Sequence, residues 1–401
     1  MTVPENLKAG FAQVEITPPK ECPLIGYNQR EELHPSGNGG VNDPLYIRAL
    51  ILENSADGRF LILSLDLAIV ETPCADELRR VAAGAAGLNV ERVMVSCTHT
   101  HSGPYPWRRE WGQDGFEVVT DDVTSSPSED FYNQLVDAVA RAAKLVGNDL
   151  SPAKFRVRQS QLGFAYKRRV ATSRGIEMCW NPKETPHLEP EPADDSTLVV
   201  LQIQRPVGDI ILFNVAGHPV TLGKESWVIS ADWPGAACRL IEQEVKGSHA
   251  IFMHGAGGDA HPWLATDNNI DDLDAVARPV AGLVSLLAQA GGDFSNDAEM
   301  RSQEVTVDYS GGSLAVSLWK LGPACCLAFP GELFGSTGLQ LRGVTALPLL
   351  LATTSNGWLG YWPPSKSFEE GAYEVDATGG FGVTAGDAEL VVAAVASAPS
   401  P

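Results

Sequence analysis

The sequence predicts an α/β fold: a mixed β-sheet flanked by helices, in a single large domain over 1–401. Three observations lead there. Apolar runs of strand length alternate with amphipathic segments of helical period. The runs close on glycine, proline or a polar turn. Their ends carry Asp, His or Glu, and ligand sites in α/β sheets gather beyond the carboxyl ends of strands.

The elements follow in order. FLILSLDL (60–67) ends near Asp66, and VMVSC (93–97) ends just before two histidines. DIILFNVAGHP (209–219) ends at His218, and HAIFMHGAGGDAHP (249–262) at Asp259 and His261. ACCLAFPGEL (324–333) ends at Glu332. Helical periodicity covers 76–87, 130–146, 234–246 and 273–290. Pro234 suits a first helical turn, whereas Pro279 predicts a kink or break. A last helix is expected near the end of the chain, over AELVVAAVA. Two long segments read as loops. Residues 103–129 carry Tyr105, Trp107 and Trp111, and residues 171–196 carry Trp180 among prolines and acids. Their aromatics fit a lid over a pocket.

Composition removes several classes of function. The formal net charge of −21 opposes binding to a nucleic-acid backbone or stable docking on an anionic membrane. No apolar run reaches the length of a membrane span, and the first residues lack a basic-then-apolar leader. Seven cysteines without paired spacing fit reduced thiols and a cytoplasmic setting. Cys325 and Cys326 read as small buried apolar residues. The expected partner is a small-molecule substrate. Homo-oligomerisation is not decided at this level.

The most specific stretch is VMVSCTHTHSGP (93–104). Residues two apart in an extended segment share a face, so His99 and His101 are expected side by side. Isolated histidine pairs are commonly surface groups satisfied by hydrogen bonds. Here His218 and Glu332 also stand at strand ends, and His99, His218 and Glu332 can supply the N, N and O donors of a zinc site. Zinc lowers the pKa of its water to about 7, which gives a nucleophile at neutral pH. HGAGGDAHP (254–262) lacks the Lys and Ser/Thr of a P-loop, so its glycines are expected to permit close approach of backbone. No GxSxG elbow is present.

In this order, THTHSGP, GHP (217–219), ISADWPG (229–235), GAGGDAHP (255–262), PGEL (330–333) and NGWLGY (356–361) resemble the catalytic domain of the neutral/alkaline ceramidases. Further matching blocks are AGFAQVEITPP (9–19), IGY (25–27), DPLYIRALIL (43–52) and LSLDL (63–67). These enzymes are zinc amidases. The resemblance implies His99, His218, Glu332 and Tyr361 as zinc ligands. It implies His101 as a substrate-side histidine, Arg168 near the reaction centre and Tyr373 facing substrate. Asp66 and Asp232 match recurrent acids, expected to orient ligands or to be buried structural carboxylates. Gly26, Trp107, Trp180 and Asp259 are assigned to the substrate-facing side.

Three departures stand out. Lys167 precedes Arg168 where the family usually has Asn. His261 occupies the position of the family's catalytic serine, and is expected to act in acid–base chemistry or substrate positioning. Third, the resemblance covers only the catalytic domain, and the family's added β-sandwich is not expected here. Together these readings imply zinc-dependent hydrolysis of an amide, ester or lactone in a small soluble substrate, with Arg168 holding an anionic group. The alternatives are elimination from a sugar or other polar molecule with His261 as base, a binding protein on a degenerate scaffold, and a purely structural metal.

Overall fold

The computed structural model describes residues 7–20, 22–27, 38–106, 126–295 and 297–399. The α/β expectation holds, but the sheet is divided. A five-stranded sheet runs in the order Val93–Cys97, Gly58–Leu65, Tyr46–Asn54, Lys8–Glu15, Ser151–Pro152. A four-stranded sheet follows in the order His249–His254, Ile210–Val215, Thr197–Gln204, Lys154–Gln161. Another runs Met300–Tyr309, Gly312–Leu321, Ala324–Ala328, Leu349–Ala352.

Alternation within each strand builds the layers. In Tyr46–Asn54, Ile47, Ala49 and Ile51 face the helices Thr72–Ala86 and Ser126–Asn148, while Leu50 and Leu52 turn to the opposite side. There they meet Val199, Leu201, Leu212 and Met253 of the second sheet and Trp319, Cys326 and Leu350 of the third. The three sheets thus share one apolar centre. The second sheet is covered outside by Asp232–Glu244 and Asp271–Gln289, and the third by Gly335–Val344 and Asp387–Ser397. Strands buried on both faces read as continuous apolar runs, which is why FLILSLDL and DIILFNV show little polar alternation. Cys325 and Cys326 point into opposite cores, and all seven cysteines are free and buried.

Buried polar groups join the sheets. The Asn214 amide donates to Met253 O and Leu351 O, both at 2.9 Å, and Ser64 Oγ donates to Phe252 O at 2.8 Å. Pro279 does not break its helix: Asp271–Gln289 is continuous, and the ring lies on the exposed side, away from buried Val276, Ala277 and Val280. The segment 171–196 is more ordered than a loop. Arg169–Thr172 pairs with Gly175–Met178, and Cys179 and Leu188 pack on Tyr166. Among the described residues, no helix is long and apolar enough to cross a membrane.

Each of these three larger sheets contains one parallel pair of strands: Gly58–Leu65 with Val93–Cys97, Ile210–Val215 with His249–His254, and Ala324–Ala328 with Leu349–Ala352. Their carboxyl ends meet. Cys97 N donates to Thr354 O at 3.1 Å, and Thr353 N to His254 O at 2.9 Å. The candidate site is built at this junction.

Candidate active site

His99 and His101 converge through a turn rather than through the pleat of a strand. The strand stops at Cys97, and His99 sits at φ +69°, a conformation uncommon for a residue with a side chain. Its amide donates to Leu67 O at 2.9 Å, which fixes that turn. The result brings His99 Nε2 to 3.4 Å from His101 Nε2. His218 arrives from the second sheet and Glu332 from the third. Glu332 Oε2 lies 3.3 Å from His99 Nε2 and 3.1 Å from His218 Nε2. One ligand atom from each of His99, His101 and His218 falls within 4.8 Å of the others.

The tautomers follow from the outer partners. His99 Nδ1 is 2.7 Å from Ala68 O, His101 Nδ1 is 2.9 Å from Gly26 O, and His218 Nδ1 is 2.6 Å from Gly257 O. A carbonyl only accepts, so each Nδ1 carries a proton, and in the neutral ring each Nε2 turns a lone pair inward. Backbone carbonyls therefore orient these rings, the role expected of acids. Asp66 instead pairs with Arg48 at 2.9 Å, and Asp232 accepts the amides of Thr221, Leu222 and Trp233. Trp233 Nε1 then donates to His218 O at 3.1 Å, so the DWPG block supports the loop that carries His218.

This cluster is short of hydrogen-bond donors. His218 Nε2 and Glu332 Oε2 are buried without a hydrogen-bond partner. Burial, then the Arg168 charge, lowers the His218 pKa to about 4, which keeps the ring neutral. Glu332 turns Oε2 toward His99 Nε2 and His218 Nε2. Trp358 Nε1 donates to its other oxygen at 3.0 Å. Buried acceptors facing one another are costly unless something positive lies between them. Imidazole nitrogens with a carboxylate suit a divalent cation such as zinc.

Glycines let the backbones close on this point. A Cβ on Gly257 would lie 2.8 Å from Gly217 N, and one on Gly258 2.9 Å from Glu332 O. The GAGGD loop thus packs directly on the segments bearing His218 and Glu332. Tyr361 is the parallel register partner of Glu332, and its ring stacks at 6.4 Å from His218. Burial, then the Glu332 charge, pushes its phenol well above its usual value, and Arg168 opposes that shift.

A second polar cluster adjoins the first. Arg168 is buried and donates from Nε to Glu374 Oε1 at 2.7 Å, and from Nη2 to Gly258 O at 2.7 Å. Its Nη1 is 2.9 Å from His261 Nε2. Glu374 also takes Arg169 Nη1 at 2.8 Å. The guanidinium carbon lies 5.1 Å from the Trp180 ring, 5.4 Å from Tyr361 and 5.5 Å from Tyr373. The expected anion-holding role for Arg168 does not fit this arrangement, because a buried carboxylate already neutralises it. The expected role of His261 as base is likewise unsupported. Its Nε2 lone pair faces an obligate donor, and burial, then Arg168, holds its pKa well below the usual value.

The remaining expectations divide. Trp180 and Tyr373 are 36% and 37% exposed and stand edge to face at 5.0 Å, so both border the site. Gly26, assigned to substrate, instead supports His101: its φ is +116°, and a Cβ there would lie 2.6 Å from His101 Cβ. Asp259, also assigned to substrate, is buried and accepts Gly335 N at 2.9 Å. Burial raises its pKa to about 6. Trp107 and Trp111 lie outside the described residues. Sequence reasoning missed His254, whose ring stacks on His99 at 4.8 Å, together with Trp358 and Glu374. HAIFMH, NGWLGY and GAYEV contain them, but no spacing rule singles them out.

Comparison with known proteins bears on the family and the fold. Residues 7–298 match the family model of the neutral/alkaline non-lysosomal ceramidase N-terminal domain. The neutral ceramidase of Pseudomonas aeruginosa is 24% identical over 311 residues, which cover 73% of this chain and 43% of that protein. The chain thus spans less than half the length of that curated relative. The crystal structure of neutral ceramidase from Pseudomonas aeruginosa superposes with a TM-score of 0.73 at 17% identity, covering 99% of this chain and 76% of the other. A ceramidase complexed with C2 gives 0.73 at 16% identity, covering 97% and 74%. The sequence match stops before Glu332, Tyr361 and Tyr373, whereas the likeness of fold extends past them.

Proposed function

The chain belongs to the neutral/alkaline non-lysosomal ceramidase family, and from that premise we propose that it is a zinc-dependent hydrolase cleaving an amide bond in a small soluble substrate. The observation that carries this reading is the convergence of His99 Nε2 and His218 Nε2 on Glu332 Oε2, at 3.3 and 3.1 Å, with His218 Nε2 and Glu332 Oε2 buried and without a hydrogen-bond partner. His99, His218 and Glu332 would hold the zinc, with Tyr361 as a fourth ligand and His101 beside them. Bound zinc supplies Lewis-acid polarisation of a carbonyl and a lowered pKa for water.

The chain's own residues do the rest. Ala68 O, Gly26 O and Gly257 O fix the imidazoles, so no reorientation is needed during reaction. Trp358 holds the Glu332 carboxylate from behind. Tyr373 and Trp180 form a half-exposed aromatic edge that positions the substrate and displaces water. The net charge of −21 supports a soluble substrate over one embedded in an anionic bilayer. With the His261 Nε2 lone pair engaged by Arg168, hydrolysis is favoured over elimination by a His261 base.

The test is a screen of zinc-loaded protein against short N-acyl amides, esters, lactones, glycosides and long-chain ceramide in mixed micelles. The reading expects turnover of a short soluble amide that is abolished by His218→Ala. Preferential turnover of long-chain ceramide contradicts the substrate assignment. Turnover of glycosides alone contradicts the reaction class.

A further inference from the structure

We propose that His261 is a positioning residue whose Nε2 lone pair anchors the Arg168 guanidinium against Tyr361 and Tyr373. The inference rests on the reading above that this junction is a site of hydrolysis. An arginine side chain stays protonated and offers only donors. Arg168 Nη1, 2.9 Å from His261 Nε2, therefore makes that nitrogen an acceptor without a proton. The proton sits on Nδ1, which donates to Trp180 O at 3.2 Å. Both nitrogens of this buried ring are thus engaged. An added proton on Nε2 would face the Arg168 donor.

The arrangement constrains Arg168 from three sides. Glu374 takes Nε, Gly258 O takes Nη2 and His261 takes Nη1, which sets the guanidinium plane among Trp180, Tyr361 and Tyr373. Tyr166 donates to Trp180 O at 3.0 Å, so the carbonyl that orders His261 is itself held. The chain also braces the pair: Arg168 N donates to Asp259 O at 2.9 Å, and His261 and Tyr166 are antiparallel register partners. Where the family resemblance implies a serine, this chain carries a side chain that reaches two bonds further. A serine hydroxyl ends at the γ position and cannot reach the imidazole Nε2 point. The acceptor at that point, not the proton capacity of the ring, is what the geometry uses.

The experiment compares His261→Gln, His261→Ala and His261→Ser for zinc content, kcat, KM and pH profile on a short soluble amide. Glutamine keeps an acceptor of similar reach. The proposal expects full zinc in all three variants and His261→Gln within about 10-fold of wild-type kcat. His261→Ala and His261→Ser should lose about 10²-fold in kcat with KM little changed. The pH profile of His261→Gln should keep both limbs of the wild-type curve. A glutamine variant as slow as alanine and lacking one limb would assign proton transfer to His261 and overturn the proposal. A serine variant as active as wild type would overturn it as well. A readout independent of turnover uses 15N-labelled histidine in the zinc-loaded protein. The proposal expects a neutral, Nδ1-protonated His261 whose signal moves on Arg168→Lys. The Nε2–H form would contradict it. Should no amide be turned over, the hydrolase reading fails, and this tautomer measurement still decides the assignment.

Discussion

Two polar clusters are buried side by side at the junction of the sheets, and they differ in how they are satisfied. Around Arg168, each guanidinium nitrogen has an acceptor: Glu374 for Nε, His261 for Nη1 and Gly258 O for Nη2. Around Glu332, acceptors face acceptors, and His218 Nε2 and Glu332 Oε2 have no hydrogen-bond partner. A buried network is tolerable when every member is paired, and a half-paired one is costly. The first cluster is therefore complete as protein alone. The second has the donor set to hold a cation. The difference separates an internal brace from a binding site, although both consist of buried His, Glu and neighbouring aromatics.

The largest expected effect breaks the unmatched cluster. His99→Ala and His218→Ala should each lose stoichiometric zinc and fall to background turnover, as read by metal analysis and assay of the same preparation. Either variant keeping both would show that the cluster is not the metal site.

Removing the carboxylate of the matched cluster should cost stability rather than zinc. Glu374→Ala leaves Arg168 and Arg169 buried without their shared carboxylate, at a cost of about 3–5 kcal/mol in denaturant unfolding. Zinc should still bind to the protein that remains folded. Loss of zinc with unchanged stability would reverse the contrast between the clusters.

A third effect is a pH dependence. The His218 pKa is lowered to about 4 in the folded chain, from 6.5. Between those values the unfolded chain takes the proton first, so metal-free protein loses stability as pH falls from 6.5 to about 4. His218→Asn should lose up to roughly 3 kcal/mol less over that window. Parallel unfolding curves for wild type and variant would show that His218 does not carry this linkage.

The smallest effect sharpens the picture of how the carboxylate is held. Trp358→Phe removes the donor to Glu332 Oε1 and should weaken zinc affinity about 10–100-fold with little change in stability. A chelator competition measures it. Unchanged affinity would make Trp358 a packing residue only.

The α/β class was legible in the sequence because strand and helix periods differ and because FLILSLDL, VMVSC and DIILFNV are too apolar for a surface. The division into three larger sheets was not, since periodicity fixes which face a residue takes and not which strand lies beside it. His99, His218 and Glu332 were legible as strand ends. Their tautomers were not, because these depend on carbonyls such as Ala68 O and Gly257 O that any residue type could supply. Glu374 and Trp358 stayed hidden for a related reason: each acts through one partner distant in the chain. The contact between His261 and Arg168 was hidden as well, because the two lie 93 positions apart in the chain.

The most direct test of the account is zinc-edge X-ray absorption on protein purified from zinc-replete culture, beside His218→Ala prepared in the same way. The expected result is one zinc per chain in a shell of nitrogen and oxygen only, with imidazole scattering, and no bound zinc in the variant. A folded wild-type protein without zinc, or a zinc shell containing sulfur, would contradict it.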